Sequence, residues 1–163
     1  MSSTHDELAG VVDLFGALRY VQLADALSEL AFKRGQSVEK AALEVEINAA
    51  IEAYALVEYE PADRTAVSDC ETLLTVGPTA FPTLPPNAED LPHILTYDRR
   101  SVDRQRLATQ VTERLTTEAA TAVDAENFDR AAELLDVAYD IEMWAPIETD
   151  EIRSRLTAAL PQD

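Results

Sequence analysis

The sequence predicts a mainly α, α+β protein: a winged-helix-like unit of three helices and a β-hairpin, followed by a helical C-terminal part. Three observations carry this. Apolar residues recur at helical spacing in three segments before residue 55, and the period then switches to two over ALVEYE (55–60). Five of the eight prolines (Pro78, Pro82, Pro85, Pro86, Pro92) crowd into one stretch, after which helical spacing resumes. The expected organisation is therefore a first unit at 1–76, a proline-rich connector at 77–98 and a C-terminal helical part at 99–163.

Thr4 followed by Glu7 has the form of a capping box and opens the first helix. Leu8, Val11, Val12, Phe15 and Leu18 make its apolar face, which Arg19 and Tyr20 interrupt. A second helix carries Leu23, Ala26, Leu27, Leu30 and Ala31, with Lys33 and Arg34 at its carbonyl end and Gly35 as the residue that stops it. Ser37 is the expected cap of a third helix, with Leu43, Ile47, Ala50, Ile51 and Tyr54 inward and Glu39, Glu44, Glu46 and Glu52 outward. ALVEYE and CETLLTV (70–76) then read as the two strands of a hairpin around a polar turn at 61–69.

Each proline sets its own φ and disfavours helix in the residue before it, so 77–98 is expected to be extended and stiff. Beyond it, Leu107, Val111, Leu115, Ala119 and Val123 mark a long helix that ends at the polar turn 124–127. Phe128, Ala131, Leu134, Leu135, Ala138, Tyr139 and Ile141 mark the next, which runs into Trp144 and Pro146. Thr149 caps a last short helix with Ile152, Leu156 and Leu160 inward. None of these stripes is a sustained heptad, so a long coiled coil is not expected.

The runs ELAGVVDLFGAL, ELAFKRG, VGPTAFPTLP, EDLPHILTYDRRSVDR and EMWAPI resemble a family of small, acidic, functionally uncharacterised proteins of halophilic archaea. The resemblance spans nearly the whole chain. It implies a salt-filled cytoplasm, and it transfers no activity, cofactor or catalytic residue.

Composition points the same way. The formal charge is −18, from 31 acidic against 13 basic residues, and it divides evenly on either side of residue 76. Lys33 and Lys40 are the only lysines; the other basic residues are arginine. Self-repulsion of so charged a compact state is relieved where the Debye length is ~3 Å, at about 1 M salt, and returns where it is ~10 Å, at about 0.1 M. A single cysteine, Cys70, forms no internal disulfide, and no apolar run approaches the ~18 residues of a membrane span. The expected setting is reducing, cytoplasmic and away from membranes.

No catalytic or metal-binding set and no cofactor is expected. The four glycines are scattered and make no phosphate loop. Cys70 reads as a small buried hydrophobe, and His93 as a residue that pins the proline stretch. His5 and the carboxylate clusters Glu148/Asp150/Glu151 and Asp98/Asp103 lack the spacing of a metal loop.

The candidate partner-binding residues are the basic cluster Arg99, Arg100, Arg104 and Arg106, together with Trp144. Positive charge at a helix start opposes the macrodipole, so these arginines need compensation, either from internal acids or from a partner's carboxylates or phosphates. The function expected is that of a non-catalytic interaction or regulatory module working through protein contacts, with a homodimer through the C-terminal helices as one form of it. The second reading is a winged-helix transcriptional regulator that reads DNA with Ser37, Lys40 and Asn48 of the third helix, disfavoured by the four glutamates beside them. A small enzyme is the third.

If the acidity is a salt adaptation, lowering KCl from multimolar to about 0.1 M should expand or unfold the protein as screening between carboxylates is lost. Circular dichroism unchanged in shape and thermal midpoint across that series would show that it is not.

Overall fold

The computed structural model describes residues 3–33, 35, 39–61, 72–85, 88–97 and 99–161. Arg34, Ser37, Cys70, most of the polar turn before β3, and Asp98 lie outside the described residues. The chain divides into two compact units, Met1–Val102 and Asp103–Asp163. Among the described residues the structure is mostly helical with a small antiparallel sheet.

In the first unit α1 spans Ser3–Phe15, β1 Leu18–Arg19, α2 Tyr20–Lys33, α3 Lys40–Glu52, β2 Leu56–Tyr59 and β3 Leu73–Val76. The hairpin pairs Val57 with Thr75 and Tyr59 with Leu73, and the sheet order is β1-β3-β2. β3 is central, and so Leu73, Leu74 and Thr75 are all buried where an edge strand would alternate.

β1 has no counterpart in the sequence reading. Gly16, at φ +79°, ends α1 before the apolar face reaches Leu18, which enters the core from a strand opposite Leu74. The N-cap of α3 is Glu39, whose carbonyl accepts from the amides of Ala42 and Leu43; Ser37, the expected cap, lies outside the described residues. Tyr54, expected on the helical stripe, lies beyond the end of α3 with φ +63°, yet it is fully buried.

The proline stretch is not uniformly extended. After residue 85 it forms a 3-10 turn, Ala88–Asp90, and a one-turn helix α4, Leu91–Ile94. Pro92 sits in the first turn of α4, where its missing N–H has no helical acceptor to lose. Ala88 and Leu91 belong to the core of the first unit beside Leu8, Phe15, Leu18, Leu23, Ile47 and Leu56. The described residues between 77 and 100 thus form a strap laid over α1. Thr83 N–H donates to the Asp6 carbonyl and Phe81 N–H to the Asp6 carboxylate, while the Tyr97 ring meets Phe15 edge-on at 5.8 Å. Gly10 makes the crossing possible, since a Cβ there would lie 2.1 Å from the Thr83 carbonyl oxygen. Any side chain would lift the strap from the helix.

The second unit is three helices: α5 Arg104–Asp124, α6 Phe128–Trp144 and α7 Asp150–Ala159. Asp103 caps α5 by accepting from Arg106 N–H, and Asn127 caps α6 by accepting from Arg130 N–H. Leu107, Val111, Leu115, Leu134, Ile141, Ile152 and Leu156 fill the core, and alanines between them let the helices approach closely. Phe128 and Tyr139, expected on the inner face of α6, are exposed instead.

Candidate functional site

The basic cluster resolves into two different devices. An α-helix leaves its last four carbonyls without helical donors, and α1 ends at buried Phe15, with exposed Asp13 before it and buried Ala17 after it. Arg99 and Arg100 supply donors from more than eighty residues away. The Arg99 guanidinium donates to the carbonyls of Asp13 at 2.9 Å and Leu14 at 3.0 Å. Arg100 donates its backbone N–H to Phe15 O at 2.8 Å and its guanidinium to Ala17 O at 3.0 Å. Thr75 Oγ1 donates to Gly16 O at 2.8 Å and closes the series of five consecutive carbonyls, 13 to 17.

From its place in the sequence Arg100 is expected at a helix start, where its charge opposes the dipole. It lies instead at a helix C-terminus, where positive charge is favoured. The carbonyl of Arg100 also packs against Gly16, and a Cβ there would be 2.0 Å from it. Arg100 reaches Gln22 Oε1 at 2.8 Å as well. Gln22 is buried, and the same oxygen accepts from Arg19 N–H, so it joins the start of α2 to this cap.

Arg104 and Arg106 do open a helix. Arg104 lies 4.8 Å from the centre of the Trp144 ring, which joins the first turn of α5 to the last turn of α6. At an exposed site such a contact contributes about 0.5–1 kcal/mol. Arg106 is half-buried and gives its amide to Asp103 Oδ1. The sequence groups four arginines that the fold assigns to two units.

A second set of charges ties α7 to α6. The Glu142 carboxylate accepts from the Thr149 amide and hydroxyl, both at 2.9 Å, and from Arg153 at 3.2 Å. Arg153 also bonds Asp150 and lies 4.9 Å from the Tyr139 ring centre. Thr149 therefore stands at the N-cap position of α7, but its hydroxyl serves Glu142 and not an α7 amide. These bonds, led by the Thr149 amide and followed by its hydroxyl and the Arg153 charge, hold Glu142 below the usual carboxylate range. Between α5 and α6, Glu118 accepts from Arg114 at 2.7 Å and from Arg130 at 2.9 Å.

On α3 the outward face carries exposed Lys40, Glu44, Glu46, Asn48 and Glu52, next to exposed Glu39 and Val45. Ser37, the third candidate for DNA contact, lies outside the described residues. His93 is exposed on α4. Among the described residues no group of three or more His, Cys, Asp or Glu side chains could hold a metal ion. No helix among them is long and apolar enough to cross a membrane.

Sequence reasoning misses a sizeable opening, a groove of about 490 Å³ within the second unit. Thr116, Ala120 and Val123 of α5 and Ile152, Ala158 and Ala159 of α7 line it. The signal is present as Ala and Thr on the flank of each stripe. Small residues, however, read as neutral when apolar periodicity is scored.

Fold and site together define a small α+β protein with a strapped first unit and a three-helix second unit. The chain belongs to DUF7109, a family of unknown function, whose pattern matches residues 6–161. No curated protein and no solved structure matches it.

The carbonyl cap can be tested by substitution. Arg100→Ala leaves the buried Ala17 carbonyl without its donor and should cost about 1.5–3 kcal/mol, the range for a hydrogen bond to a charged group. Arg100→Lys should recover only part, because a shorter side chain with a tetrahedral ammonium does not place two coplanar N–H groups where Nη1 holds both Ala17 O and Gln22 Oε1. A thermal midpoint equal to that of the parent would show that these carbonyls do not depend on Arg100. The Glu142 cluster should respond to acid. With Glu142 held below its unfolded value, its contribution is complete above the ordinary carboxylate range, around pH 4.3, and is lost as pH falls through the lower folded value. Stability should therefore drop more steeply below about pH 4 in the parent than in Glu142→Gln, as read by thermal melts across pH; parallel curves would refute it.

Proposed function

We propose that this protein is a non-catalytic interaction or regulatory module of the cytoplasm of a salt-adapted archaeon, working through contacts with another protein. The observation that supports this most directly is the apolar groove of the second unit, set in a chain whose other conspicuous features serve its own architecture. Arg99 and Arg100 are engaged with α1, and Arg104 with Trp144. Salt favours the same reading. Apolar contacts survive high ionic strength, whereas phosphate contacts lose about 10³–10⁵ in affinity between roughly 50 and 200 mM for six to ten of them.

One observation favours a second reading, a winged-helix DNA-binding regulator. The first unit has the order α1-β1-α2-α3-β2-β3 with sheet order β1-β3-β2, and α3 stands where a recognition helix would. Its exposed face opposes that use, offering Lys40 and Asn48 beside Glu39, Glu44, Glu46 and Glu52.

Crosslinking capture from a native lysate at high salt, set beside selection from a random duplex library at about 1 M KCl, separates the two. The expected result is a reproducible protein partner and no enriched DNA motif. An enriched motif that disappears on changing Lys40 and Asn48 would make the second reading the answer.

A further inference from the structure

We propose that the groove between α5 and α7 is the docking site for a basic amphipathic helix of a partner protein. This deepens the interaction reading above and rests on it. The two walls have helical spacing. Thr116, Ala120 and Val123 fall at i, i+4 and i+7 on α5, and Ile152 and Ala159 at i and i+7 on α7 with Ala158 beside them, so two strips of small side chains face one opening.

Two packed helices with such strips on the same side present the seat of a further helix. Small residues on the seat let a partner axis come within the ~8–10 Å of ordinary helix packing, with large apolar side chains of the partner filling the space. A second recess of about 250 Å³ shares Thr116, Ile152 and Arg155 with it and is bordered by Thr112, Glu148 and Glu151. Two adjoining recesses strung along the same two helices suit an extended helical face better than a compact small molecule.

Charge selects the occupant. The larger opening is bordered by Asp124 and the smaller by Glu148 and Glu151, and the one arginine on their margin, Arg155, lies 3.6 Å from Glu151. The second unit as a whole has fourteen acidic residues against six arginines. Of those six, Arg114, Arg130 and Arg153 also bond internal carboxylates. A helix flanked by Lys or Arg meets complementary charge here. A second copy of this chain, at −18, would bring like charge to the rim.

The test uses the full chain at about 1 M KCl and two labelled peptides of the same design. Both carry Leu at i, i+3, i+4 and i+7; one has Lys at its flanking positions and the other Glu. The Lys peptide should bind more tightly than the Glu peptide, and because rim charges are screened at this salt the ratio should widen as KCl is lowered over the range in which the fold is kept. Ala120→Trp and Ala158→Trp, at exposed positions and without change of charge, fill the groove and should each weaken binding of the Lys peptide by about tenfold or more, roughly 1.4 kcal/mol. Circular dichroism of both variants should match the parent. Unchanged affinity in both variants would mean adventitious attraction to an acidic surface and would overturn the proposal. Equal binding of the Glu peptide at every salt concentration in that range would do the same. Parent chains that self-associate, and variants that sediment as monomers, would overturn it too and assign the groove to a second copy. Crosslinking capture with the variants keeps the two claims apart. If the variants still capture the parent's partners, the interaction reading stands and the groove falls; if the parent captures nothing, the interaction reading itself fails.

Discussion

The C-terminal end of α1 is the constraint on which the first unit depends. Five carbonyls in a row, from Asp13 to Ala17, take donors there, and for those of buried Phe15 and Ala17 an acceptor left unmade costs about 1–3 kcal/mol. Local sequence reaches only the first of them, through Gly16 N–H on the Asp13 carbonyl at 3.3 Å, because Gly16 then turns the chain away. The other donors come from β3 through Thr75 and from the end of the strap through Arg99 and Arg100. Satisfying α1 therefore requires the hairpin to be in place and residues 77–98 to have crossed the helix. The prolines help by narrowing the unfolded strap, which lowers the entropy lost when it is ordered.

The same constraint decides how the scarce positive charge is used. A chain of net −18 has few cations, and the structure places most of the described arginines where they hold elements together. Arg100 joins α1 to the start of α2 through Gln22, Arg130 joins α6 to α5 through Glu118, and Arg153 joins α7 to α6 through Glu142. Exposed ion pairs are worth little singly. These three side chains are half-buried and shared between elements, and Arg153 also stacks on Tyr139, so they set geometry as well as energy. Arginine suits this work because each terminal guanidinium nitrogen carries two N–H groups held in a plane, and Arg99 Nη1 uses its pair on two successive carbonyls.

The acidic surface that remains bears on recognition. Partners that bind through phosphate are opposed by the exposed face of α3 and by the general charge. Apolar contact framed by acids is what the groove of the second unit offers. Its alanines are small because three helices must pack closely, and the same smallness leaves room beside them.

The sequence by itself determined the helices and the hairpin. Apolar spacing, the stop at Gly35 and the switch to alternation at residue 55 are local signals, readable within one or two turns of chain, whereas the caps at Asp103 and Asn127 came from the structure. Membership of an uncharacterised family was legible too, in runs such as EDLPHILTYDRRSVDR. Only the tertiary structure decided where Arg99 and Arg100 point, that Leu18 belongs to a strand, that Gly10 and Gly16 are crossings for the strap, and that α5 and α7 leave a groove. Each of these depends on two segments meeting across tens of residues. Periodicity records which face of an element is buried, but it carries no record of which distant backbone atoms will need a donor once that face has been covered.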